Sequence, residues 1–199
     1  TSNYFFKENY NYFTANFTFK TYFECQGFRF LLDRQVGRSL GQPVDLKEHG
    51  VQTATRAYRG GESIDIVVMS LFHDMTETIV SKNHGEAAAG LLEAYLDQRS
   101  IWMLRNHEVF QGYYYFHHFG GNRDERLQFK DHEWYQDLAD WCENYDQAGF
   151  DPGYPSLPFD FFIPMVEQVL AREPFWWDPK HPKRAAVTGI ASEGSKAEL

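Results

Sequence analysis

From residue 28 onward, apolar side chains recur every three or four positions, the pattern of helices with one buried face. Phe28, Leu31, Leu32 and Val36 predict a helix that closes near Gly37 and the Gly41-Gln42-Pro43 turn. Asp45 stands as an N-cap before a helix whose inward face carries Leu46, His49, Thr53, Ala54 and Ala57, and which stops at Gly60-Gly61. Ser63 caps the next helix. There Ile64, Val67, Val68, Leu71 and Phe72 leave so little polar surface that the helix must be central, and it runs straight into His73-Asp74. Further helices are predicted over residues 85–96, with Ala88, Leu91, Leu92 and Tyr95 inward, and over residues 99–110, 133–145 and 160–172. Gly120-Gly121-Asn122 and the Gly- and Pro-rich residues 149–158 interrupt them. With no strand series and no internal repeat, the fold class is all-α.

The two ends read differently. Residues 3–30 are crowded with Tyr, Phe, Asn and Thr, and Phe17, Phe19, Tyr22 and Phe23 keep no clean period. Residues 13–19 alternate as a short strand would; alternatively, the aromatics lie as a cap over the core. Past Pro174 the chain turns to prolines, then small and charged residues, which predicts a flexible tail. Three segments result: residues 1–42, an aromatic-rich segment with the first helix; 43–172, the main domain; and 173–199, a C-terminal extension.

Composition narrows the partners. A chain of 199 residues with 43% hydrophobic residues suits one domain with a self-sufficient core. A net charge of -9 argues against nucleic acid or an anionic membrane as partner, while a local metal pair would still admit a small anion. Cys25 and Cys142 stand in no metal-binding spacing and read as reduced thiols in or near the core rather than as a disulfide. No run of 18 apolar residues and no signal-peptide layout occur, so a cytoplasmic protein acting on a small molecule is expected, as a monomer or small homo-oligomer.

Six side chains then stand out as metal ligands. His49 lies on the apolar side of its helix. His73 and Asp74 end a helix too apolar to be exposed, and point about 100° apart. His84 opens one helix, His107 lies near the end of the next, and Asp146 ends the one beyond. Each alone is weak: a lone histidine is more often a packed core residue, and an Asp after a helix is usually a cap. Together they matter, because a buried apolar helix rarely ends in two ionisable groups unless they are paired or metal-bound. Imidazoles with carboxylates and no thiolate suit Fe, Mn, Zn or Ni.

These residues also carry a resemblance. His49-x-x-Gln52-Thr53-Ala54, followed by Val67-Val68-x-x-Leu71-x-His73-Asp74, resembles the opening of the HD superfamily. His84-Gly85-Glu86-x-Ala88, Asn106-His107 and Asn144-Tyr145-Asp146 resemble the remaining motifs of its dinuclear branch. Within that branch the chain is most similar to the mixed-valent di-iron oxygenases, the phosphonate-cleaving enzymes in its early motif and myo-inositol oxygenase from Arg105 to Asp146. The resemblance implies an HD helical bundle over residues 43–172, with two iron ions, Fe(II)/Fe(III), held in its core by His49, His73, Asp74, His84, His107 and Asp146. It also implies dioxygen as co-substrate and a small hydroxylated substrate, organophosphonate-like, polyol or amino alcohol. A metal-dependent HD phosphohydrolase or phosphodiesterase would use the same six ligands and is the alternative; a metal-stapled scaffold domain is a third. The scarcity of Arg and Lys around the ligands favours the oxygenase.

The chain departs from those oxygenases where it has Glu77, Gln111 and Glu143 in place of substrate-contacting basic residues. Glu77 therefore either holds an amine, accepts a hydroxyl proton, or is a helix-end carboxylate facing water. Gln52 orients a ligand, touches substrate, or only packs between helices. His117 and His118, after an aromatic run, line the pocket, donate to a carboxylate, or pack. Arg123, Arg126 and Lys130 read as a solvated basic cluster, and His132 and His181 as exposed.

Overall fold

The computed structural model describes residues 17–172, and among them every regular element is helical. In chain order the α-helices are α1 Phe17–Asp33, α2 Leu46–Arg59, α3 Ile64–Phe72, α4 Glu77–Val80, α5 His84–Leu92, α6 Gln98–Tyr115, α7 Tyr135–Trp141 and α8 Ile163–Leu170. None of them is long and apolar enough to cross a membrane. The expectations for residues 1–16 and 173–199, His181 among them, lie outside the described residues.

Two caps fall where the sequence places them, at Asp45 and Ser63, and Asp97 adds a third at the start of α6. Asp45 accepts the Glu48 amide at 2.8 Å, Ser63 accepts that of Ile66 at 3.4 Å, and Asp97 accepts that of Ser100 at 2.7 Å. Each cap of this kind contributes about 1 kcal/mol. Gly61, with φ of 80°, takes the left-handed conformation that ends α2 and lets the chain double back into α3.

α3 is the axis of the molecule. From Asp65 to Phe72 all of its residues are buried. α2 packs along it, α6 and α8 cross it, α1 lies on α8, and α5 pairs with α6. Its two ends thus emerge inside the protein rather than at its surface, which puts His73 and Asp74 in the interior.

Several sequence expectations are corrected. The aromatic segment contributes neither a strand nor a cap from Phe17 onward; it is the first part of α1. Its buried stripe is Thr21, Cys25, Phe28 and Leu32, a regular helical spacing, while Tyr22, Phe23 and Phe30 are more than half exposed and hid the period. Val36, expected inward, lies beyond that helix and is exposed. Leu91, on the outer side of α5, is also exposed. α6 runs five residues past the predicted end at Phe110, to Tyr115. The helix expected to continue to Tyr145 is α only to Trp141, and then widens into a π turn over Cys142–Asp146. Cys25 and Cys142 are both buried free thiols.

Candidate metal centre

The end of α3 presents His73 and Asp74 to three neighbours. α2 supplies His49, the start of α5 supplies His84, and the middle of α6 supplies His107. Asp146 arrives from the π turn, whose widening is sealed when the Gln147 amide donates to the Cys142 carbonyl, five residues back. Trp141 anchors that turn to α3 by donating from Nε1 to Ser70 Oγ at 2.9 Å.

The side chains meet in two groups. His49 Nε2 and His73 Nε2 lie 3.0 Å apart, with Asp146 Oδ1 at 3.1 and 3.5 Å from them. Asp74 Oδ2 approaches the same two nitrogens at 3.4 and 3.2 Å. His84 Nε2 and His107 Nε2 form a second pair, also 3.0 Å apart. They face the other oxygen of the same carboxylate, Asp74 Oδ1, at 3.1 and 3.3 Å. Asp74 therefore stands between two imidazole pairs and offers one oxygen to each.

The outer ring nitrogens fix the tautomers. His49 Nδ1 is 3.1 Å from the Gly149 carbonyl, His73 Nδ1 is 2.8 Å from that of Ser70, and His107 Nδ1 is 2.7 Å from that of Leu104. A carbonyl only accepts, so Nδ1 carries the proton in each ring and the Nε2 lone pair points inward. His84 Nδ1 faces the Ser81 carbonyl at 3.2 Å and the carboxylates of Glu77 and Glu108, so it too is the protonated nitrogen. The interior thus holds four imidazole lone pairs and two carboxylates. Gln111 gives one hydrogen bond, from Nε2 to Asp146 Oδ1 at 3.0 Å. Asp146 Oδ2, wholly buried, has no hydrogen-bond partner.

So many acceptors at such distances need cations between them. Protons can serve. Burial works against a charged His73, but Asp74 and Asp146 outweigh it and raise the imidazole to about 10. His84 is likewise opposed by burial and raised to about 11 by Asp74, Glu77 and Glu108. Burial pushes Asp74 and Asp146 up, yet the facing imidazoles hold both below the usual carboxylate range. Metal ions can take the place of those protons, and the donor set of imidazole and carboxylate suits first-row divalent metals.

Two glycines permit the close approach. A Cβ on Gly85 would lie 2.8 Å from the Leu104 carbonyl and 3.0 Å from the His107 ring. One on Gly149 would lie 2.6 Å from Thr53 Oγ1 and 2.9 Å from His49 Nδ1. The segment holding Gly149 is clamped by Gln52, which donates from Nε2 to the Asp151 carbonyl at 2.7 Å and accepts the Asp151 amide at 3.1 Å. Phe150 then lies flat on His49, ring centroids 3.9 Å apart.

A cavity of about 460 Å³ opens beside the second imidazole pair. Asp74, Glu77, His84, Glu108 and Gln111 supply much of its polar wall, with Gln42, Ser81 and Gln147 adding to it, and among the described residues neither Lys nor Arg lines it. Its apolar surface combines the aromatic rings of Tyr114, Tyr115, Phe119 and Phe150 with Leu40 and Leu46.

All six residues singled out as ligands thus come together. Of the other four, Glu77 lies on the cavity wall against His84, and His118 reaches the cavity rim. Gln52 holds a loop rather than facing the cavity, and His117 is exposed outside the lining. His132 is not free at the surface as expected but stacks on Trp102 at 3.9 Å. Arg123 and Arg126 are not merely solvated, since both guanidinium groups sit over Tyr113, at 4.1 and 3.7 Å. Sequence reasoning missed Glu108 and passed over Gln111 as a contact to Asp146. Their positions, one residue and one helical turn after His107, were a usable signal. It also missed Gln35, which donates from Nε2 to the Asp74 carbonyl at 2.6 Å across a long stretch of sequence. No protein-family model matches the chain, and no curated protein matches it either.

Proposed function

We propose that the chain is an HD-type helical bundle with a dinuclear metal centre, acting as a di-iron, dioxygen-dependent oxygenase on a small hydroxylated substrate. The observation that carries this reading is Asp74, with one carboxylate oxygen turned to each of two imidazole pairs. His49, His73 and Asp146 would hold one ion, His84 and His107 the other, and Asp74 both. The buried, unpartnered Asp146 Oδ2 and the four inward lone pairs fit that role. Iron in the Fe(II)/Fe(III) state would supply a place for a substrate hydroxyl and for dioxygen, together with an electron from the ferrous ion to activate the dioxygen.

The chain's own residues prepare and enclose this centre. Bonds from Nδ1 to backbone carbonyls keep all four rings turned inward, and the Glu77 carboxylate lies against His84 Nδ1. Gln111 orients Asp146, and Phe150 covers the face of His49. Of the six ligands only Asp74 and His84 reach the cavity wall, so a substrate meets the His84–His107 side first.

The choice of an oxygenase over a phosphohydrolase rests on the cavity lining. Phosphate esters are commonly gripped by Arg or Lys as well as metal, and among the described residues this wall has neither. Anaerobic loading with iron, metal analysis and low-temperature electron paramagnetic resonance on the same sample test the reading. Two equivalents of iron and an antiferromagnetically coupled mixed-valent signal are expected. A chain that holds manganese, magnesium or nickel, gives no such signal and cleaves phosphate esters would replace it with the hydrolase.

A further inference from the structure

The wall of the cavity carries more negative charge than the centre uses. His84 has a single Nδ1–H, and three acceptors crowd it: the Ser81 carbonyl at 3.2 Å, Glu108 Oε1 at 3.5 Å, and the still closer Glu77 Oε2. One proton cannot satisfy both carboxylates. Glu108 Oε1 also accepts the Gly85 amide at 2.7 Å, a neutral donor that leaves the charge in place. Among the described residues no Lys or Arg pairs with either side chain, whereas the half-buried Glu93 meets Arg105 at 2.9 Å and the buried Asp65 meets Arg172. Glu77 and Glu108 are nonetheless only 14% and 24% exposed, so water does little to offset them.

The surroundings complete a recognisable environment. Tyr114, Tyr115 and Phe119 stand on the same cavity wall and offer aromatic faces, which attract cations. Burial first, then Glu108, Asp146, Glu77 and Asp74 push the Tyr115 phenol up, which marks a negative field at that ring. Four carboxylates, Asp74, Asp146, Glu77 and Glu108, would also offset most of the charge of a divalent–trivalent ion pair. Little would remain to draw in a phosphate or phosphonate.

We propose that Glu77 and Glu108 form a cation subsite in this cavity, which takes the ammonium group of a small amino alcohol while its hydroxyl faces the Asp74–His84 side of the centre. This deepens the oxygenase reading and rests on it for the role of the hydroxyl. The two carboxylates and the aromatic rings of the wall select for the positive group, and a lining with no Arg or Lys among the described residues selects against an anionic one.

Calorimetric titration of the iron-loaded full chain with ethanolamine, ethylene glycol and hydroxyethylphosphonate tests the proposal. Ethylene glycol has nearly the shape of ethanolamine and lacks only the charge. Ethanolamine should bind at least about tenfold tighter than ethylene glycol, the weight of one charge-assisted hydrogen bond. Glu108→Gln keeps an oxygen for the Gly85 amide and should abolish that preference, with both equivalents of iron retained. Equal binding of ethanolamine and ethylene glycol, or tighter binding of hydroxyethylphosphonate, with iron fully bound would overturn the subsite and leave the metal centre standing. If no metal binds but ethanolamine is still preferred in a Glu108-dependent way, the metal reading fails and the subsite survives. If neither metal nor ethanolamine binds, both are overturned.

Discussion

α3 has a buried polar cluster at each end, and the two are built on opposite principles. At its start Asp65 is gripped by Arg172 at 2.6 and 2.7 Å, and its Oδ1 accepts the Asp97 amide at 2.9 Å. Arg172 spends a further donor on the Tyr95 carbonyl at 2.9 Å. Charge is matched and each acceptor has a donor. At its far end His73 and Asp74 face three more imidazoles and a carboxylate, and Gln111 is the one described side-chain amide that donates to the carboxylates of the group. A cluster that closes on itself holds a fold together; one left rich in acceptors awaits a cation. The contrast separates structural burial of charge from functional burial within one helix.

That contrast can be broken most severely at Asp74. Asp74→Ala removes the one carboxylate shared by both imidazole pairs, and metal analysis should show both ions lost while the Asp65 end stays intact. Titration in opposite directions gives the next largest effect. In the metal-free chain His73 and His84 are raised above their ordinary value. The stability they lend is complete below about pH 6.5 and lost as pH rises through 10 to 11. Asp65 is pushed up by burial, but Arg172 and the Asp97 amide together hold it below its ordinary value, so its contribution is present above about pH 4 and lost in acid. Thermal melts against pH with chelator present should show the alkaline loss. Added metal should remove it and replace it with an acid sensitivity, because the ligands must be deprotonated to bind.

Arg172→Met leaves Asp65 buried and unpaired, and should cost about 3 kcal/mol by denaturant unfolding with the metal content unchanged. Unchanged stability would mean that the pair at the start of α3 is not structural. Gly149→Ala should cost about 1–3 kcal/mol, because its Cβ would press on Thr53 and His49, and should weaken one ion more than the other. The smallest effect is expected from Gln111→Leu. Losing one outer hydrogen bond to Asp146 should lower metal affinity about tenfold in a competition titration, with little change in the melting temperature.

The sequence made one half of this contrast legible and hid the other. His49, His73, Asp74, His84, His107 and Asp146 are chemically conspicuous; helical periodicity turns His49 inward, and the buried helix α3 carries His73 and Asp74 into the interior. Asp65 and Arg172 look like ordinary surface residues in the sequence, because a pair so distant along the chain leaves no local pattern. Glu77 stands out as an oddity of type; Glu108, its partner on the cavity wall, reads as one more charge on a helix. The fold is readable where apolar stripes are clean, as in α2 and α3. It is obscured in α1, where Tyr22, Phe23 and Phe30 face outward and mask the stripe of Thr21, Cys25, Phe28 and Leu32. Backbone departures from regular helix, such as the turn before Asp146, carry no compositional mark.

That turn makes this stretch sensitive to length more than to chemistry. Over Cys142–Asp146 the chain winds more widely than an α-helix. The turn already carries one residue more than an α turn would, so removing one lets the α-helical pattern resume with Asp146 facing nearly the same way, whereas inserting one more would swing the Asp146 position by about 100° around the axis. The carboxylate would then face away from His49, although no ligand had been substituted. A one-residue deletion in the exposed stretch after Gly120 would be absorbed locally. Across this part of the chain, single-residue deletions are absorbed, while an insertion is tolerated or ruinous according to whether it falls before or within the turn that delivers Asp146.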